Sequence, residues 1–486
     1  MRAFEIVALI SACGIGVLVS QPAPGQTQAT QNVSTSADPP SGPNSLVNTY
    51  EPDVPGASHA AQVLTVSGPN AYGWAFPITE ADQHLPSWIQ FGGQIRDRWE
   101  YAGHIAFGSF SDGYDLTQLR LGIYIRPMKW FELVAVTQDS RVFFNQHLPS
   151  LPPYQNIWDI REAYGRIGSE AEGLADLVVG REMFSFGDER VIGPSDWLNM
   201  GRTFDTVRLN LHPKNVKVSI FVASVITAVD GQIDRHIEGN NLYGIYSSFR
   251  KLVPRAVLEP YLLWRVAPAN VSLPETAGRG AMSEVTVGAR IAGTMPGHFD
   301  CDVEMNEQTG SLGHGSIHTW AGHWNLGKTF NNTAGKPRPF VEYNYATGNR
   351  NPRSNTWTTH DQIYPSAHDK MEFADQFGWR NISHLRIGVM EKVAKRWTFT
   401  ELVNNLWLAT KYDAVYASNG AASVAANPRA ASKHLGTELD LIGTFKQNAH
   451  ITYGFGFAHL FTGAFLKETT PGRSYSYPFT YITYVF

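Results

Sequence analysis

Arg96, Arg98, Arg120, Arg161, Arg181, Arg190, Arg202 and Arg208 are the residues of this chain best suited to hold a ligand, and arginine outnumbers lysine two to one. A guanidinium keeps its charge at any physiological pH, and its planar fork of N–H donors matches a carboxylate or a phosphate. Asp159, Asp188, Glu189 and Asp205 are interleaved with these arginines, with Glu100 and Glu162 nearby. Such a group reads in two ways. It is an anion-selective constriction, or it is a set of charges that pair across a water-filled wall and hold it together. Both readings stand for any single arginine, and the group as a whole favours the constriction.

Other chemistry-bearing residues are sparse. His314-Gly315-Ser316 has a spacing that suggests a histidine-activated serine, but it lies in the glycine-rich stretch 310–315, which reads as a turn. His360, His368 and Asp369 are candidates for a proteolytic cluster at a loop rim. His318 and His323 are five apart, so in a strand they point to opposite faces and cannot share a metal. The expectation is a protein that is not an enzyme, with no catalytic residues, no metal and no cofactor; an outer-membrane hydrolase is the rival from another class.

The elements that must carry the arginines are strands. In 89–101, Ile89, Phe91, Ile95, Trp99 and Tyr101 share one face, while Gln90, Gln94, Arg96, Arg98 and Glu100 share the other; Asp97 is the exception. Leu119, Leu121, Ile123 and Ile125 oppose Gln118, Arg120, Tyr124 and Arg126 in the same way. Segments of ten or more residues suit a tilted strand crossing a bilayer. A charge on the lipid side of such a strand costs about 2–4 kcal/mol at the bilayer midplane, so arginines on the polar face must point into a lumen. Segments of this kind begin near 89, 117, 130, 157, 174, 203, 216, 240, 255, 282, 299, 315, 338, 383, 396, 433, 449 and 476. They predict an all-β, transmembrane, antiparallel up-and-down β-barrel of about eighteen strands.

The connections sort by parity. Those after the second, sixth, fourteenth and sixteenth strands are tight, whereas those after the third, fifth, thirteenth and fifteenth are long: 142–156, 185–202, 349–382 and 412–432. Short periplasmic turns and long outer loops produce this sorting; a propeller or a soluble sandwich does not. The 185–202 loop carries Gly187, Gly193, Pro194 and Gly201, and a loop of that length after a barrel strand is expected to fold inward and narrow the lumen.

At 486 residues, with 17% charged and 12% aromatic side chains and a net charge of -4, the chain is no globally basic nucleic-acid binder, and no nucleic-acid partner is expected. Mean hydropathy is -0.22, and no uncharged apolar run beyond the N-terminus is long enough for a helical span. Arg2 and the apolar stretch from Ile6 to Val19 read as a signal peptide, assigned to 1–25, with Ala23-Pro24-Gly25 or Thr27-Gln28-Ala29 at the cleavage site. Residues 26–86, rich in Ser, Thr, Asn, Pro and Ala, read as a flexible periplasmic segment, and 87–486 as the barrel. Removal of Cys13 with the leader leaves Cys301 alone, so no intramolecular disulfide is expected.

Residues 180–190 (Gly180-Arg181-Glu182-Met183-Phe184-Ser185-Phe186-Gly187-Asp188-Glu189-Arg190), then Gly193, Trp197, Asn199, Gly201-Arg202-Thr203-Phe204-Asp205 and Val207-Arg208, resemble the signature of the alginate export family. Tyr345-Ala346-Thr347-Gly348-Asn349, Pro352, Tyr364-Pro365-Ser366-Ala367-His368, Asp375 and Trp379-Arg380-Asn381-Ile382 form a second similar stretch. The chain departs from the family's more usual Gln-Glu at Glu182-Met183 and Gly-Asp at Gly348-Asn349. The resemblance implies an eighteen-stranded outer-membrane barrel with an arginine-rich constriction, through which an acidic polysaccharide or oligosaccharide passes under the control of an outer loop and a periplasmic turn. A general or phosphate-selective porin for small anions is the alternative. Outer-membrane lipid and lipopolysaccharide are the expected surroundings. The aromatic end, with Ile482, Tyr484 and Phe486 on one face, is the expected signal to the barrel-assembly machinery.

Overall fold

A sheet that alternates between lipid and water leaves no backbone group unpaired only when it closes on itself, and the chain forms such a closed sheet. The computed structural model describes residues 84–86, 88–169, 173–270 and 280–486. The leader assigned to 1–25 and nearly all of the segment 26–86 lie outside the described residues.

Eighteen strands make the wall: β1 Ile89–Ala102, β2 Asp112–Met128, β3 Phe131–Phe143, β4 Asn156–Gly168, β5 Ala175–Glu182, β6 Phe204–Leu211, β7 Val216–Thr227, β8 Arg235–Val253 and β9 Ala256–Ala267, followed by β10 Met282–Met295, β11 Phe299–Leu312, β12 Gly315–Lys328, β13 Arg338–Ala346, β14 Ile382–Ala394, β15 Trp397–Leu408, β16 His434–Lys446, β17 Ile451–Thr462 and β18 Tyr475–Val485. Each pairs antiparallel with its neighbours in sequence, and β1 pairs with β18 from Gln94↔Val485 to Glu100↔Phe479, which closes the barrel. Closure leaves no unpaired strand edge in the bilayer. Phe486 seals the joint through reciprocal backbone bonds with Gly93, at 2.8 and 3.0 Å.

The alternation in β1 holds throughout. Phe91, Ile95 and Trp99 are 42–48% exposed on the outer surface, whereas Gln90, Gln94, Arg96, Arg98 and Glu100 are buried inside. Asp97 faces outward beside Asp115 of β2. Two strands start earlier than their apolar pattern: β2 at Asp112 rather than near 117, and β8 at Arg235 rather than near 240. Each extra segment, Asp112-Gly113-Tyr114-Asp115 and Arg235-His236-Ile237-Glu238, has a single apolar residue, Tyr114 or Ile237, among polar ones, so no hydrophobic period marks it.

Turns and loops fall on opposite ends as the parity predicts. The turns after β2, β6, β14 and β16 are short, and the long outer loops run over 144–155, 183–203, 347–381 and 409–433. Two of them, 183–203 (loop A) and 347–381 (loop B), turn into the barrel. They join as a short parallel bridge, Ile192↔Tyr364, with Gly193 N donating to the Tyr364 carbonyl and Tyr364 N to that of Val191, both at 2.9 Å. Aromatic residues of the loops and of the inner wall pack together there. Phe186 of loop A stacks on Tyr246 of β8 at 4.3 Å, and Tyr246 on Tyr261 of β9 at 5.4 Å. The barrel therefore has an interior core as well as a lipid-facing skin.

Candidate functional site

Arg96 and Arg98 on β1, Arg120 on β2 and Arg161 on β4 stand side by side on the inner wall, each almost fully buried. Their donors converge on loop A. Arg96 Nη1 donates to the Asp196 carbonyl at 2.8 Å, and its Nη2 to those of Leu198 at 3.1 Å and Trp197 at 3.3 Å. Arg98 Nη1 donates to the Trp197 carbonyl at 2.6 Å, and its Nε pairs with Glu100 at 2.5 Å. Arg120 takes the Asp196 carboxylate in a two-pronged grip, Nη2 to Oδ1 at 2.6 Å and Nη1 to Oδ2 at 3.1 Å, and Arg161 Nη2 reaches the same Oδ1 at 3.2 Å. Burial alone would raise the Asp196 carboxyl, but Arg120, Arg161 and Arg96 outweigh it and hold it well below the usual carboxylate range.

Neutral wall residues complete the seat. Gln118 donates to the Asn199 carbonyl at 2.6 Å, Ser140 to the same carbonyl at 2.8 Å and Gln138 to that of Met200 at 2.8 Å. The Asn199 amide in turn reaches the carbonyls of Thr117, Arg141 and Tyr154. Gly201 adopts φ +66°, and a Cβ there would lie 2.4 Å from Arg161 Nη2. Only glycine combines that backbone with so close a guanidinium.

Arg190 and Arg202 belong to the loop. Arg190 pairs with Asp188 and with Glu342 of β13, both at 3.0 Å. Arg202 Nη1 donates to the carbonyls of Gly193 at 3.0 Å and Pro365 at 2.8 Å, linking loop A to loop B. Glu189 faces the same seam, its carbonyl accepting from Ser366 N at 3.0 Å. Arg208, inward on β6, pairs with Glu182 at 2.5 Å. Asp159 sits at the outer end of β4, accepting from Asp234 N at 3.0 Å.

Arg181 and Asp205 do not join this group. They pair with one another at 2.9 Å on the outward register of β5 and β6, in line with Leu177, Val179, Val207 and Leu209. Arg181 also reaches the Asp234 carbonyl at 2.9 Å, and Asp205 accepts from His236. The sequence expectation placed both in the lumen, yet Asp205 and Arg208 are three apart and cannot share a face of one strand. In β5 three successive apolar residues, Leu177-Val178-Val179, hide the parity.

Asp196 and the wall residues Gln118, Gln138 and Ser140 were not among the sequence candidates. The one sequence signal was the conjunction of Pro194, an acid and Trp197 inside a long glycine-rich loop; their partners lie tens of residues away and carry no local pattern.

The hydrolytic candidates are engaged with other partners or exposed. His314 sits in the β11–β12 turn, and Ser316 Oγ lies 3.3 Å from Thr356 Oγ1 on an exposed surface. His360 is buried between Asn306 and the Trp379 carbonyl. His368 stacks on Trp197 at 4.2 Å and meets Asp375 at 2.7 Å. His318 is exposed and His323 is buried. Among the described residues, Asp188, Asp302 and His323 come close enough to share a cation. Arg190 and Lys370 already flank Asp188, and Arg290 grips Asp302 at 2.7–3.2 Å, so side-chain cations fill that position.

Comparison with known proteins adds three findings. The alginate export family model matches residues 87–478. A search of curated proteins by sequence found no match. Among solved structures the fold is similar to three porins of Pseudomonas aeruginosa. OccD3 (OpdP) is 12% identical, with a TM-score of 0.53 over 82% of this chain and 91% of that one. OpdQ is 9% identical, with a TM-score of 0.54 over 82% and 98%. OccK2 (OpdF), solved in complex with glucuronate, is 7% identical, with a TM-score of 0.53 over 82% and 97%.

Proposed function

We propose that this chain, which belongs to the alginate export family and is a channel of the bacterial outer membrane, passes an acidic oligosaccharide or polysaccharide along its arginine-bearing inner wall. The observation that carries this reading is the convergence of Arg96, Arg98, Arg120 and Arg161 on one face of the lumen, where a chain of carboxylated sugars would meet successive guanidinium forks. Loops A and B occupy that face at rest, so passage requires them to withdraw. Arg190, Arg202 and Arg208 contribute by holding the loops and the neighbouring wall in register. Phe486, paired with Gly93, is read as the residue presented to the barrel-assembly machinery.

Flux into liposomes holding the reconstituted protein tests the reading. A galacturonate trimer should enter and should block small-ion current, while a neutral maltotriose of similar size should do neither. Saturation by phosphate without any block by the trimer would instead identify a small-anion porin.

A further inference from the structure

The Asp196 carboxylate has the geometry of a ligand rather than of a wall residue. It arrives on a loop, enters the lumen from the outer side and is met by two guanidinium groups of two different strands, at 2.6, 3.1 and 3.2 Å. All three side chains are at most 6% exposed. The receiving fork does not depend on the loop for its aim: Arg120 Nε is fixed by Gln138 Oε1 at 2.7 Å, within the wall. The acids nearest the site are engaged elsewhere. Glu100 pairs with Arg98 and accepts from Tyr114, and Glu162 accepts from Met183 N. Removing Asp196 would therefore leave Arg120 and Arg161 without the one acid that both grip, and a buried charge that loses its hydrogen-bonded partner favours an anion in its place.

We propose that Asp196 is a tethered surrogate ligand. Its carboxylate occupies a carboxylate-binding site made by Arg120 and Arg161, with the charge of Arg96 beside it, and a carboxylate of the transported molecule takes that site when loop A withdraws. Naming that molecule as a uronate chain rests on the proposed function; the site itself rests on the geometry. The loop and the solute then compete for the same donors, so the solute that needs the channel is also what releases its closure.

The test uses the full-length protein in planar bilayers, with acetate, a galacturonate trimer and maltotriose as probes, and heat-modifiability on gels as the check of assembly. Asp196→Asn keeps the shape and removes the charge. The trimer should block this variant at a concentration lower by about ten-fold or more than wild type, because a charged competitor worth one such factor has been removed. Asp196→Ala should conduct more than wild type, and acetate should restore the low-conductance state while maltotriose does not. Wild type alone also reports: acetate should raise its open probability by competing for the arginines. Should acetate leave both wild type and Asp196→Ala unchanged, Asp196 is a loop anchor and the inference falls. If acetate acts as expected but the trimer blocks no form of the protein, the carboxylate site stands and the acidic-oligosaccharide reading fails. Equal trimer block of wild type and Asp196→Asn would overturn the surrogate role and leave that reading intact.

Discussion

Arg98 places its guanidinium 3.9 Å from the centre of the Trp197 ring and donates to the Trp197 carbonyl at 2.6 Å, so one wall arginine grips both the side chain and the backbone of a single loop residue. His368 of loop B stacks on the same indole at 4.2 Å. Trp197 is thus the point at which the wall and both inward loops meet.

Replacing Trp197 with Ala should undo that junction. A desolvated cation–π contact is worth about 2 kcal/mol, and the lost indole also leaves a void between the loops. The expected result is a higher open probability and new trypsin cleavage at Arg190 or Arg202, both protected in wild type by burial or by bonds to carbonyls. Unchanged protease resistance would show that the loops are held elsewhere.

Gly201→Ala probes the same seat from below. The added Cβ would meet Arg161 at 2.4 Å on a backbone at φ +66°, a conformation that costs a non-glycine residue about 1 kcal/mol or more. Arg161 must move off Asp196, and thermal release of the loops, followed by limited proteolysis against temperature, should come at a lower temperature. The barrel itself should keep its heat-modifiable band.

Loop docking should depend on pH in both directions. Burial and the neighbouring Asp375 and Asp440 push Glu372 of loop B up to about 8; Glu438 of β16 also faces it, and Gln376 N and Phe377 N donate to it. A raised carboxyl contributes fully below its ordinary value of 4.5, and that contribution is lost as pH rises through about 8. Burial drives His368 the other way, to about 3, so its contribution is present above 6.5 and lost as pH falls toward 3. Between pH 6.5 and 9 the loss from Glu372 weakens docking, and Asp375 of the same loop, also held well above its ordinary value by burial, acts in the same direction, so open probability should rise with pH. Glu372→Gln should reduce that alkaline limb while leaving the acid limb in place.

Arg202→Ala separates anchoring from filtering. Arg202 spends its Nη1 on the carbonyls of Gly193 and Pro365, so its loss should increase flicker between conductance levels. The reversal potential in a salt gradient should stay where it is; a shift toward cations would place Arg202 in the filter itself.

The wall was legible because period two is a local property. Phe91, Ile95 and Trp99 against Gln94, Arg96 and Arg98 declare two faces without reference to any other strand, and the long connections after β5 and β13 declare the outer side. Strand ends were less legible where Asp112 and Arg235 extend β2 and β8 beyond the apolar pattern. Arg181 is hard to place because Leu177-Val178-Val179 offers apolar residues to both faces, whereas the outward side of Asp205 follows from its three-residue offset from Arg208. What the loops do inside the barrel had no local signature at all: Asp196 is defined by Arg120 and Arg161, 76 and 35 residues earlier in the chain. Bonds of that separation follow from the closed wall and can be read only once it is built.

Under the proposed function, loops A and B docked on the wall arginines keep this channel shut. Single-channel recording tests this closure most directly, comparing wild type with a heat-modifiable variant in which residues 190–198 are replaced by a glycine-serine segment of equal length. Wild type should conduct little and open only intermittently, and the variant should show a large, steady conductance. A wild type that already conducts steadily, at the same level as the variant, would contradict it.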